Sequence, residues 1–195
     1  MPRTIRLAAL LAVAALAGCG SSPKANFYTL GSGGLPPPAS TAAPYRIAIG
    51  QVSVPDMIDR PQIVTRAGAN QVTIDEFARW AEPLKSDIPR VIAANLAHEV
   101  PGALVSTFPQ SASMVADCKL LIEVQRFDSA PGDAATVEVL WTLRPAKGES
   151  TSGRSVAREA TDGPGYEALA AAHGRALAAV SRDIAAAVRA VRARP

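Results

Sequence analysis

Cys118-Lys119-Leu120-Leu121-Ile122-Glu123-Val124-Gln125-Arg126-Phe127 and, after Pro131-Gly132-Asp133, Val137-Glu138-Val139-Leu140-Trp141-Thr142-Leu143 are the runs that decide the fold. Apolar residues occupy every second position of both, the signature of strands with one face in a core and the other toward water. The Pro-Gly-Asp turn between them predicts a long antiparallel hairpin. Cys118 shares its phase with Leu120, Ile122 and Val124, so it reads as a small buried residue rather than a reactive thiol.

Working outward, residues 153–159 read as a third strand. Arg154 and Arg158 with little apolar content mark it as a sheet edge, where charge discourages pairing with other chains. Beyond it Leu169, His173, Ala176, Leu177, Val180, Ile184, Val188 and Val191 keep one helical face for more than six turns. Asp162 and Pro164 precede the helix; Arg189, Arg192 and Arg194 sit at its C-terminal end, where the macrodipole is negative. Upstream, Leu84, Ile88, Val91, Ile92 and Leu96 form a second helical face, closed by Pro101-Gly102. Pro89 leaves two starts open: Ser86 caps the helix with Pro89 in the first turn, or the helix begins near Pro83 and kinks.

Residues 103–107 read as a short strand. Tyr45, Ile47 and Ile49 alternate, Val52 and Val54 alternate in the opposite phase, and a β-bulge at Gly50-Gln51 would absorb the slip. Residues 61–66 and 71–74 read as a hairpin turning at Ala67-Gly68-Ala69-Asn70. The expected fold is α+β: a two-layer sandwich with two main helices on one face of a mixed or mostly antiparallel sheet.

The first residues decide where the chain resides. Arg3 and Arg6 precede an apolar run at 7–17, which ends in Leu16-Ala17-Gly18-Cys19. That is a secretory signal with a bacterial lipobox, predicting a signal peptide at 1–18 and acylation of Cys19. The apolar run is shorter than the roughly 20 residues a membrane-spanning helix needs. Residues 19–44 read as a lipidated tether with a short strand at 26–30 and a Pro/Gly-rich loop; 45–195 form the α+β domain. Loss of Arg3 and Arg6 with the leader takes the 20 basic residues to 18 against 17 acidic ones. The mature body is nearly neutral, which removes the argument for nucleic acid. With Cys19 carrying lipid, Cys118 has no partner for an intrachain disulfide.

Catalysis finds no constellation to rest on. His98 and His173 are far apart and lack ligand-spaced neighbours, so both read as structural and no metal or cofactor is expected. Gly31-Ser32-Gly33-Gly34 lacks the strand-to-helix setting of a phosphate loop. The segment that looks specified runs from Val54 to Leu84. Met57 and Ile58 lie between two prolines and Trp80 lies just before the first helix; Met, Trp and Arg dominate binding hot spots. Met57, Ile58, Asp59, Arg60 and Trp80 are therefore the candidate partner interface. The competing reading has Met57, Ile58 and Trp80 closing the core beneath the helix.

Several runs together carry a resemblance: the lipobox, Phe27-Tyr28-Thr29-Leu30, Val52-Ser53-Val54-Pro55, Asp59-Arg60-Pro61-Gln62-Ile63-Val64-Thr65-Arg66, Arg79-Trp80-Ala81-Glu82-Pro83-Leu84, Asn95-Leu96 and Pro101-Gly102. On these the chain resembles the ABC-type transport auxiliary lipoproteins, a PqiC/YmbA-like family, over essentially the whole mature length. The resemblance implies a non-enzymatic partner of an MCE-domain lipid-transport system in a Gram-negative envelope, docking the periplasmic MCE component at the outer membrane. Gly20, where Asp would retain a lipoprotein at the inner membrane, favours the outer one. A ring-shaped MCE partner would suit a matching homo-oligomer. Residues 20–26 reach at most about 23 Å when extended, which keeps the body close to the bilayer. A lipid-binding carrier and a regulator of peptidoglycan synthesis are the rival classes.

Overall fold

The computed structural model describes residues 23–31, 44–112 and 115–194. The elements run β1 (Asn26–Tyr28), β2 (Tyr45–Ile49), β3 (Gln62–Arg66), β4 (Val72–Trp80), α1 (Leu84–Glu99), β5 (Ala103–Ser106), β6 (Cys118–Ala130), β7 (Ala134–Pro145), β8 (Thr151–Ala160) and α2 (Tyr166–Arg192). The architecture is α+β, with both helices on one face of a mixed five-stranded sheet ordered β5-β2-β6-β7-β8. A second, three-stranded sheet, ordered β1-β4-β3, lies beside the distal half of β6.

β6, β7 and β8 form an antiparallel meander whose register pairs Leu120 with Leu143 and Val139 with Ser155. Alternation along β6 slips at Gln125, where a bulge between Val124 and Arg126 adds one residue. The bulge returns Phe127 and Ser129 to the face that Cys118, Leu120, Ile122 and Val124 occupy, and all six are buried. Trp141 lies over Gly153 in the cross-strand pair; a Cβ there would overlap the indole, so the position requires glycine. The indole N–H donates to Ser155 Oγ at 3.1 Å. β8 is the edge strand that Arg154 and Arg158 indicate.

β2 enters the sheet parallel to β5 and β6. It does not continue through a bulge to Val54. The strand ends at Ile49, Gly50 N–H still donates to Leu120 O at 3.0 Å, and pairing returns only at the single bridge Ser53–Glu123. Val52 and Val54 are nonetheless buried, in the same core cluster as Ile47 and Ile49, because the segment stays beside β6 through that bridge.

α1 starts at Leu84, since the Pro83 carbonyl accepts the Ser86 and Asp87 N–H groups at 2.8 and 3.0 Å. Ser86 is therefore inside the helix rather than its cap, and Pro89 is accommodated within it. α2 packs over β7, β8 and α1, burying Leu169, His173, Ala176, Leu177, Val180, Ile184, Val188 and Val191, the face read from the sequence. Its last arginines join the layers: Arg189 donates to Glu99 O at 2.8 Å and Arg192 to Pro101 O at 3.0 Å.

The split into two sheets follows from β4. It runs six residues beyond Ile74 to Trp80, and its register against β3 jumps from Asp75–Ile63 to Arg79–Gln62. Asp75 Oδ1 closes the irregularity by accepting the Phe77 and Ala78 N–H groups at 2.8 and 3.2 Å.

Candidate functional site

The N-terminal segment at 26–31 is locked into the body. β1 pairs in parallel with β4, matching Asn26 with Ala78 and Tyr28 with Trp80. Tyr28 O accepts the Ala81 N–H at 2.8 Å. Leu30 is buried, and its N–H donates to Oδ2 of Asp87 at 3.2 Å. Asp87 is itself buried on α1 and ion-paired with Arg90, so this carboxylate is compensated on both oxygens. On the opposite wall Gly174 of α2 meets the Leu30 carbonyl so closely that a Cβ would overlap the oxygen. The Tyr28 and Tyr166 rings lie 5.8 Å apart, and Tyr166 donates its hydroxyl to Asp75 at 2.9 Å. Burial and that carboxylate push the Tyr166 hydroxyl up to about 12. An open groove of about 520 Å³ flanks the segment, bordered by Phe27, Leu30, Glu167 and Ala170. A neighbouring groove of about 330 Å³ runs past Gly31 between the helices.

Asp56–Ile58 forms one turn of 3-10 helix, closed by Ile58 N–H to Pro55 O at 3.0 Å. Three residues per turn send adjacent side chains in different directions. Met57 is therefore 46% exposed, whereas Ile58 is 5% exposed and packs in the core. Asp59 pairs with Lys85 at 2.5 Å, and Arg60 is exposed. Trp80 is buried rather than presented to a partner. Its ring meets Phe127 and His173 edge-on, each at 6.0 Å between centroids. Of the five candidate interface residues, Met57, Asp59 and Arg60 are exposed on the surface turn, while Ile58 and Trp80 are buried in the core. Cys19 lies outside the described residues.

His173 lies fully buried, stacked on Phe127 at 3.8 Å with 3° between the rings. Nε2 meets Ser129 Oγ at 2.8 Å, and Nδ1 has no partner among the described residues. A bare lone pair is less costly to bury than an orphaned N–H, so the proton belongs on Nε2, donating to Ser129. Burial pushes this imidazole down to about 3; the Asp128 carboxylate opposes weakly. Asp128 is engaged elsewhere: burial raises its carboxyl, but hydrogen bonds and charges from Arg126 and Arg66 win and hold it below the usual range. The imidazole stays neutral and performs a packing role. His98 is exposed on α1. Burial likewise raises the Cys118 thiol, which suits an inert core residue. Among the described residues no group of three His, Cys, Asp or Glu side chains is placed to hold a metal ion, and no helix is long and apolar enough to cross a membrane.

Asp87 and Gly174 escape sequence reasoning. An acidic residue early in a helix reads as a solvated first-turn charge, and a glycine among alanines reads as filler. The available signal was a glycine costing about 1 kcal/mol in the middle of a long helix.

The sequence matches the family described as ABC-type transport auxiliary lipoprotein component over residues 28–185. Two solved structures share the fold. One, a crystal structure of an uncharacterized protein, is 22% identical with a TM-score of 0.71, over 85% of this chain and 99% of that one. The other, a DUF330 family protein from Xanthomonas campestris, is 21% identical with a TM-score of 0.68, over 84% of this chain and 94% of that one. No curated protein matches the sequence.

Proposed function

The chain belongs to the family of ABC-type transport auxiliary lipoprotein components, and from that premise we propose that it is a non-enzymatic docking platform, held at the periplasmic face of the outer membrane through acylated Cys19 after removal of residues 1–18. Its partner is the periplasmic MCE-domain component of an intermembrane lipid-transport system. The observation that carries this reading is the clamp on residues 26–31. Because the segment is built into the sheet and held by Asp87 and Gly174, only residues 20–26 separate lipid from body, at most about 23 Å. A body on so short a tether receives a long partner at the membrane and does not bridge the periplasm itself.

The exposed turn at Met57, Asp59 and Arg60 is the proposed contact, anchored in the core by Ile58. A ring-shaped partner would be matched by a homo-oligomer of this chain. The test is Met57→Asp, read by co-purification of the MCE component from native membranes. Loss of the partner with an unchanged melting temperature is expected, since Met57 is half exposed. Unchanged co-purification removes this surface. Absence of any MCE protein from the wild-type preparation removes the role. Ile58→Ala serves as the contrast: its side chain is buried, so it lowers stability by about 2–5 kcal/mol.

A further inference from the structure

The outer face of the five-stranded sheet, opposite the helices, is covered by no element among the described residues except the loop around Ser111 at one end, whose hydroxyl donates to Ile49 O at 2.6 Å. Along most of this face the charges are internally matched. Arg126 pairs with Asp128 at 2.5 Å, Arg154 with Glu138 at 2.8 Å, and Arg158 with Asp133 at 2.6 Å.

One corner breaks the pattern. Lys119 of β6 stands directly opposite Arg144 of β7, both exposed, and Arg46 projects from the same face of β2. None of the three forms a salt bridge with any of the described residues. Asp117, the nearest carboxylate in sequence, accepts the Arg46 backbone N–H at 2.7 Å and pairs with no side-chain cation among the described residues. Like charges directly opposite on neighbouring strands are destabilising. A local rule broken at a cost, on an uncovered face, is where function is expected.

Apolar side chains adjoin the corner. Leu104, in register with Arg46, is 55% exposed and Phe108 is 51% exposed. A shallow depression of about 140 Å³ between Phe108, Ala112, Lys119 and Leu121 is sized for one apolar side chain.

We propose that this corner, Arg46, Lys119 and Arg144 with Leu104 and Phe108, is a docking surface for an acidic protein segment that places carboxylates on the three cations and an apolar side chain in the depression. Charge complementarity names the occupant: three uncompensated cations around apolar surface favour a mixed acidic and apolar segment over a second copy, whose identical corner would repel. Leu30 of the clamped segment lies between Asp87 of α1 and Gly174 of α2, on the helical side of the sheet and away from this corner. The surface is separate from the Met57 turn, and its test does not require the partner to be an MCE protein.

The test places a photo-crosslinking amino acid at Leu104 in the full chain in its native membrane, with a control at exposed Ala186 of α2, and sequences the cross-linked peptide by mass spectrometry. A peptide in which acidic residues outnumber basic ones is expected from Leu104 and not from Ala186. Its yield should fall at least tenfold in Lys119→Glu and in the double variant Lys119→Glu/Arg144→Glu. Stability separates docking from folding. Lys119→Glu faces Arg144 with an opposite charge and should raise Tm by about 1–4 °C, while the double variant restores like charges and should melt with the wild type. Absence of an adduct, an adduct to phospholipid or to a second copy, a yield indifferent to charge reversal, or a Tm lowered by Lys119→Glu each overturns the proposal.

Discussion

His173→Gln should flatten the acid limb of the stability curve. The wild-type ring is fully buried, and the residues facing it, Phe127 and Ser129 from β6 and Trp80 from β4, carry no charge. The nearest charge, Asp128, is neutralised by Arg126 and Arg66. Burial sets the folded pKa at about 3, against about 6.5 in the unfolded chain. Above pH 6.5 both states are neutral at this site and stability is flat. Between 6.5 and about 3 the unfolded chain binds a proton that the folded one refuses, so stability falls as pH falls. At pH 5 the loss is about 2 kcal/mol, or about 4–8 °C in Tm for a chain of this length.

Thermal melts at pH 7.5 and 5.0 on the mature chain, kept in solution by Cys19→Ala, read this directly. Glutamine starts from a lower Tm, because it gives up the stack on Phe127. Its drop between the two pH values should nevertheless be smaller than the wild type's by about 2 kcal/mol, since carboxylate contributions are common to both and cancel. Equal drops, or an NMR titration of the His173 imidazole with a midpoint near 6.5, would refute the burial argument.

Gly174→Ala drives a Cβ into the Leu30 carbonyl and should cost about 1–3 kcal/mol, with protease cleavage appearing first near residues 28–31. Asp87→Ala strands the buried Leu30 N–H and releases Arg90; denaturant unfolding should show a loss of about 3–5 kcal/mol. Ile184→Ala empties a fully buried site on α2 and should cost about 2–5 kcal/mol in the same assay, with no cleavage specific to the N-terminal segment.

The elements legible in the sequence are those whose signal is local. The alternation from Cys118, the face of α2 and the arginines on β8 each state their environment within one segment. The rest depends on partners distant in the chain. Nothing in Tyr45–Ile49 says that β2 pairs in parallel with both β5 and β6. The continuation of β4 to Trp80 is masked by Asp75-Glu76-Phe77, where polar residues and a side-chain-capped irregularity erase the period of two. Met57 and Ile58 look alike as a sequence pair; one turn of 3-10 helix sends the first to solvent and the second to the core. The clamp is equally non-local, since Asp87 and Gly174 acquire meaning only when Leu30 arrives between their helices.

The short tether is the premise of the docking account, and intact mass spectrometry of the mature chain extracted from native membranes tests it most directly. The account predicts a polypeptide that begins at Cys19 and carries three acyl chains, two on the thiol-linked glyceryl group and one on the amine. A mature chain with unmodified Cys19, or one beginning at another residue and recovered free of membranes, would contradict it.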